Sequence, residues 1–231
     1  MNALLVVTPG FEATAFLPLR RALEREGVQV RTLEFPVAGQ TSSDFAAAIT
    51  AAADAMPEHT VLVAHGFGAT LSLMADPHVE RMVLLAPVLA VVPQTSVRDL
   101  AAVPAPAVVD LSARYAWHDR DAASLLIGRP VPDLGYVSGA FVAEVQGWIR
   151  DGHVPVDLGR VDIPVWIAVG LADEVATVEA TVPASRTLPD RALVRLGANR
   201  FDPRDYTHAD LLQDEVPVRV AARAAAGRAA R

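Results

Sequence analysis

The sequence predicts an α/β domain built on a mainly parallel sheet, and three observations carry that expectation. Short apolar runs alternate with longer helix-like stretches, as in parallel strands joined by right-handed crossovers. The leading runs are apolar throughout, the sign of strands buried on both faces. The chain has 231 residues, 52% of them hydrophobic, which is enough for one domain with a substantial core.

Residues 3–7 read as the first strand, broken by Pro9 and Gly10. A helix over about 15–26 follows, which Gly27 terminates, and 28–35 is the next strand. Asp44 is expected to cap a helix through 46–56, stopped by Pro57. Residues 60–64 form a third strand that runs directly into His65-Gly66-Phe67-Gly68 and a helix to about Ala75; 82–86 is a fourth strand. The alternation then stops for the 75 residues 88–162, too long for one crossover, and resumes with strands at 164–169 and 192–196. Helices are expected near 176–188 and from about Ala209. The interruption is assigned as a helical cap, and segments 1–87 and 163–231 as the core it covers.

Composition narrows the chemistry. A net charge of -7 argues against nucleic acid or an anionic membrane as partner. The basic tail, with Arg219, Arg223, Arg228 and Arg231 among alanines, reads as the solvated face and end of a last helix. No apolar run reaches the roughly 18–20 residues that span a bilayer. The N-terminus enters a strand without a basic leader, so the expectation is a cytoplasmic protein without a signal peptide. The chain has no cysteine, which excludes disulfides and a thiolate nucleophile. All 20 basic residues are arginine, so Schiff-base and pyridoxal-phosphate chemistry are excluded too. Rich alanine, arginine, valine and proline without lysine suggest a GC-rich bacterial genome. There is no metal-ligand cluster, phosphate loop or dinucleotide fingerprint, and no cofactor is expected.

The run Val61-Leu62-Val63-Ala64-His65-Gly66-Phe67-Gly68-Ala69-Thr70 turns from strand to helix through small residues. It resembles the nucleophile elbow, G-x-S-x-G, of the α/β-hydrolase superfamily. Ala64 stands for the first glycine, Gly68 keeps the close helix–strand approach, and Gly66 occupies the position of the serine. The resemblance covers nearly the whole chain and implies an α/β-hydrolase fold lacking its first two strands. It further implies that Pro9-Gly10-Phe11 is the oxyanion loop, with the backbone N–H groups of Phe11 and Phe67 as donors. Asp173, after a late strand, would be the acid, and His208, after the last strand, the histidine. The elbow residue of such enzymes sits at strained, positive φ, which glycine tolerates. Gly66 thus relaxes the turn while deleting the hydroxyl, so no acyl-enzyme can form there. Ser72, on the following helix, and Ser138, in the cap, are not in an elbow.

Plainer roles compete for these residues. Asp173 could be a helix N-cap and His208 a surface histidine at the last helix. Glu12 is either a first-turn carboxylate favoured by the helix dipole or a second acid facing the pocket. In the cap, Tyr115, Trp117, His118, Tyr136, Phe141 and Trp148 pack or line a pocket mouth suited to an apolar molecule. His59, His65, His78 and His153 read as structural or exposed.

A base oriented by a carboxylate, two converging N–H donors and no nucleophile describe proton abstraction next to a carbonyl. The first expectation is therefore a non-hydrolytic enzyme (a lyase, isomerase or cyclase type, of the kind the superfamily contributes to natural-product biosynthesis) acting on a small, apolar, carbonyl-containing substrate. The second is a hydrolase of an ester, thioester or lactone, in which His208 activates water beside Gly66. The third is an inactive binding protein. Oligomeric state is not legible.

Overall fold

The computed structural model describes residues 1–35, 40–90, 138–198 and 204–228. Six strands form one wholly parallel sheet: β1 (Asn2–Val6), β2 (Gln29–Leu33), β3 (Thr60–His65), β4 (Arg81–Leu85), β5 (Val165–Gly170) and β6 (Arg191–Leu196). Their spatial order is β2-β1-β3-β4-β5-β6. Helices are α1 (Leu17–Arg25), α2 (Ser42–Asp54), α3 (Gly66–Ala75), α4 (Gly139–Asp151), α5 (Val178–Ala184), α6 (Asp210–Gln213) and α7 (Glu215–Ala225).

The apolar runs form strands because the sheet is covered on both faces. All six residues of β3 are buried, and so are four of the five in β1 and in β4. On α1, Leu19, Ala22 and Leu23 face inward at three- and four-residue spacing. The helix stops where Gly27, at φ 81°, leaves right-handed space. On α7, Val218, Ala221, Ala222 and Ala225 make the corresponding stripe.

Several boundaries differ from the sequence reading for local reasons. Residues 13–16 are a tight 3-10 turn before α1. Thr41, not Asp44, caps α2: its hydroxyl accepts from the Asp44 amide, and Asp44 returns the bond to the Thr41 amide at 2.8 Å. Asp44 is thus the third helical residue of a capping box, which places the helix start four residues before the expected one. The expected helix near 176–188 is a single α-helical piece containing Pro183, followed by a 3-10 turn over Ser185–Thr187. Of the proposed cap, 88–162, the described part holds α4 and a 3-10 turn at Leu158–Arg160. Among the described residues, no helix is long and apolar enough to cross a membrane.

The chain runs from β1 outward to β2, then returns to lay β3 on the other side of β1. In an open parallel sheet, the crevice beyond the carboxyl ends of the strands at such a reversal is where ligands bind. Here the reversal lies between β1, which leads into Thr8, and β3, which leads into Gly66.

One glycine fixes a third segment against that edge. A Cβ added at Gly170, the last residue of β5, would lie 2.1 Å from the Tyr206 carbonyl oxygen. That same oxygen accepts the Ala172 amide at 3.1 Å, so the 204–208 loop rests directly on the end of the strand. We expect Gly170→Ala to cost about 3 kcal/mol, since backbone rather than a flexible side chain must move. Urea unfolding would measure it; an unchanged midpoint would disprove the close approach.

Candidate active site

His208 and Asp173 meet at the carboxyl edge of the sheet. The imidazole Nδ1 and Asp173 Oδ2 are 2.9 Å apart, with His208 2% and Asp173 4% exposed. A carboxylate only accepts, so Nδ1 carries a proton, and in the neutral ring Nε2 is the nitrogen with the lone pair. The other Asp173 oxygen, Oδ1, accepts the amides of Val175 and Ala176, both at 2.8 Å. Asp173 is not the helix N-cap that competed for it, since Thr177 caps α5 by accepting the Ala180 amide; one Asp173 oxygen organises its own turn while the other meets the imidazole.

The loop carrying His208 is pinned on several sides. Thr207 donates through its amide and hydroxyl to Asp210 Oδ2, at 2.9 and 2.7 Å. Arg204 pairs with Asp214 and Asp210, and its guanidinium lies 5.6 Å from the Tyr206 ring centroid. Tyr206 itself is fully buried.

Gly66 begins α3 at φ 56°, the left-handed region expected of an elbow. Its missing side chain leaves less room than the sequence suggests. A Cβ there would lie 2.9 Å from His208 Nε2 and 3.5 Å from Cε1. The basic nitrogen thus reaches within hydrogen-bond distance of the point where a nucleophile's side chain would begin. Gly68 meets the second expectation: a Cβ on it would stand 3.1 Å from Thr8 Oγ1 and 3.2 Å from Thr8 Cα.

The two expected oxyanion donors stand differently. Phe67 lies in the first turn of α3, where an amide has no earlier carbonyl of its helix to bond and the helix dipole favours negative charge. The Phe11 amide donates to the Thr8 carbonyl at 3.0 Å, closing a turn with Gly10 at φ 94°. To meet a substrate oxygen it must leave or share that carbonyl. Glu12 is exposed, and its side chain caps nothing. Trp148 on α4 comes to Phe67: the ring centroids are 6.5 Å apart, and Phe141 contacts both rings. Tyr115, Trp117, His118 and Tyr136 lie outside the described residues. Among those described, no group of three or more acidic or histidine side chains could hold a metal ion.

Sequence reasoning gave His65 only a packing role. In the structure it is wholly buried, its ring 4.3 Å from that of His208, and its Nε2 lies 2.9 Å from the His208 carbonyl oxygen. A carbonyl only accepts, so Nε2 carries the proton; among the described residues Nδ1 has no hydrogen-bond partner. The Phe11 and Phe16 rings meet His65 edge-on. Thr8 donates its hydroxyl to the His65 carbonyl, tying the loop after β1 to the elbow.

Burial and then the neighbouring His208 hold the His65 imidazole well below its usual 6.5, with the bond to the His208 carbonyl acting in the opposite direction. Once unfolded, His65 takes a proton near pH 6.5; folded, it does so only at much lower pH. Below about 6.5 the unfolded state therefore binds more protons, and stability falls with pH down to the lowered native value. We expect the urea midpoint to drop as pH is lowered from about 7.5 to 5.5, and to drop less in His65→Gln. Equal slopes would show that folding does not lower the pKa of His65.

No family model matches the chain, and no curated protein matches it. Solved structures do. A monoacylglycerol lipase of Paleococcus ferrophilus superposes with a TM-score of 0.64 at 16% identity, over 99% of this chain and 95% of that one. A serine hydrolase involved in carbazole degradation gives 0.62 at 14% identity, over 98% and 91%. An alpha/beta hydrolase enzyme from the metagenome of lagoon sediments at Mar Chica, Morocco, gives 0.59 at 16%, over 93% and 85%. Identities this low speak for the shared fold alone.

Proposed function

We propose, from the premise that this chain has the α/β-hydrolase fold, that it is an enzyme in which His208 is a general base working without a covalent nucleophile. The observation that supports this most is the pairing of an oriented, buried base with a glycine where the nucleophile would stand. A binding module has no need of a histidine held in one tautomer with its lone pair facing the elbow. The substrate class this suits is a small carbonyl compound, and the aromatic group of Phe67, Phe141 and Trp148 favours an apolar one.

Hydrolysis is the reading we place first. Water beside Gly66 gives a proton to His208 Nε2 while its oxygen adds to the carbonyl carbon of an ester, thioester or lactone. The Phe67 amide, joined by Phe11 once it turns from Thr8, stabilises the oxyanion. Collapse breaks the bond to the leaving group, which takes the proton back from Nε2. Asp173 stabilises the imidazolium between the two transfers. The Cβ position 2.9 Å from Nε2 favours this route, because it puts the adjoining space within hydrogen-bond reach of the base. A second reading rests on the missing hydroxyl at Gly66: the same base could remove a proton from carbon next to the carbonyl, as in elimination, isomerisation or cyclisation.

The test uses an activated short-chain ester with the native chain, His208→Ala and Gly66→Ser. We expect native turnover without a burst, a loss of about 10² to 10⁴-fold in His208→Ala, and a stoichiometric acyl burst in Gly66→Ser. Gly66→Ser should also lose about 1–3 kcal/mol of stability, because serine must adopt the left-handed turn and displace the imidazole. A native burst, or a native rate that survives His208→Ala, would overturn the mechanism. Exchange of the proton next to a carbonyl in deuterated water, without ester cleavage, would transfer support to the second reading.

A further inference from the structure

We infer that His65 is a positioning residue for His208: its Nε2–H anchors the His208 carbonyl itself, beside the bonds that hold the rest of the loop, and its ring backs an imidazole that meets no elbow side chain. A serine at position 66 would give Nε2 a hydrogen-bond partner and a wall, so that Asp173 and the serine together would fix the ring at both nitrogens. With glycine there, the ring has one hydrogen-bonded side-chain partner among the described residues, Asp173 at Nδ1. A planar ring held at one nitrogen can still swing about that bond.

The structure places two restraints from His65 on the same residue, and His65 is itself held fast. Its Nε2–H holds the His208 carbonyl at 2.9 Å, which fixes the backbone from which the imidazole departs. Its ring lies against the His208 ring at a centroid separation of 4.3 Å and a tilt of 53°, closing one side of the swing. Its own position is over-determined: it ends β3, its carbonyl accepts the Thr8 hydroxyl, and Phe11 and Phe16 pack edge-on against the ring. The unpartnered Nδ1 adds to this reading. A buried ring used only for packing would be better served by phenylalanine, which leaves no bare lone pair; the donor at Nε2 is what a histidine adds here. That the held ring is a base rests on the function proposed above. That His65 holds it does not.

The two claims separate in one experiment on the full chain, with His65→Phe, which keeps the ring volume and removes the donor, and His65→Gln, whose side-chain amide can donate from nearly the same point. The first readout is the ¹⁵N and ¹H NMR signature of the His208 imidazole, which needs no substrate. We expect a slowly exchanging, downfield Nδ1 proton and a single tautomer in the native chain and in His65→Gln. In His65→Phe the proton should exchange faster and the tautomer become mixed. The second readout is turnover of the activated ester, where kcat should fall about fivefold in His65→Phe with KM unchanged, the size expected from one lost neutral hydrogen bond. An unaltered His208 signature in His65→Phe would overturn the inference, and so would its loss in both variants. If His65→Phe does not fold, His65→Gln decides alone: a retained signature supports the donor role and a lost one overturns it. A native chain without ester turnover would count against the proposed function while leaving the spectroscopic result intact.

Discussion

The hydrogen bond between His208 Nδ1 and Asp173 Oδ2 lies out of water, and a buried polar pair is costly unless most of the polar groups around it are also satisfied. Much of the carboxyl edge can be understood as meeting that condition. Asp173 turns its second oxygen to the amides of Val175 and Ala176, Gly170 admits the Tyr206 carbonyl, and the Thr207–Asp210 pair closes the loop between them. The parallel sheet supplies the rest, since it delivers the ends of β1, β3 and β5 to one edge. Segments more than a hundred residues apart in sequence thereby share one small volume.

Much of this architecture was legible in the sequence because it depends on local chemistry. Uniform apolar runs meant strands covered on both faces, and they are. A small-residue run between a strand and a helix foretold the sharp turn at Gly66, and the places of Asp173 and His208 after late strands singled out two residues whose side chains the structure brings together. What escaped was non-local or sub-ångström. His65 donates to a residue 143 positions away, and nothing in the residues around either one announces that bond. The intimacy of Gly170 with Tyr206 had a faint signal, a glycine ending a strand just before the acid. The Thr41 cap was missed because threonine and aspartate are both good caps three residues apart, and only the reciprocal bonds show which one leads.

The same limit governs the groups assigned to oxyanion binding. A sequence can place Phe11 after a Pro-Gly turn, but it cannot say where the amide points. Here the amide faces the Thr8 carbonyl, a consequence of the tight curvature that Gly10 permits. Phe67 is different, because the start of any helix presents unbonded amides in a known direction. The aromatic partners divide likewise: Trp148 reaches Phe67 because α4 stacks Phe141 between the elbow helix and α2.

The glycine at position 66 also carries a lesson about reversibility. Exchanging a serine for glycine at a left-handed turn relieves the backbone, so the step is downhill for folding. The return step must restore the strain and push back a ring already within 2.9 Å of the incoming carbon. Folding stability thus favours glycine over any larger residue at this position, whatever chemistry takes place beside it.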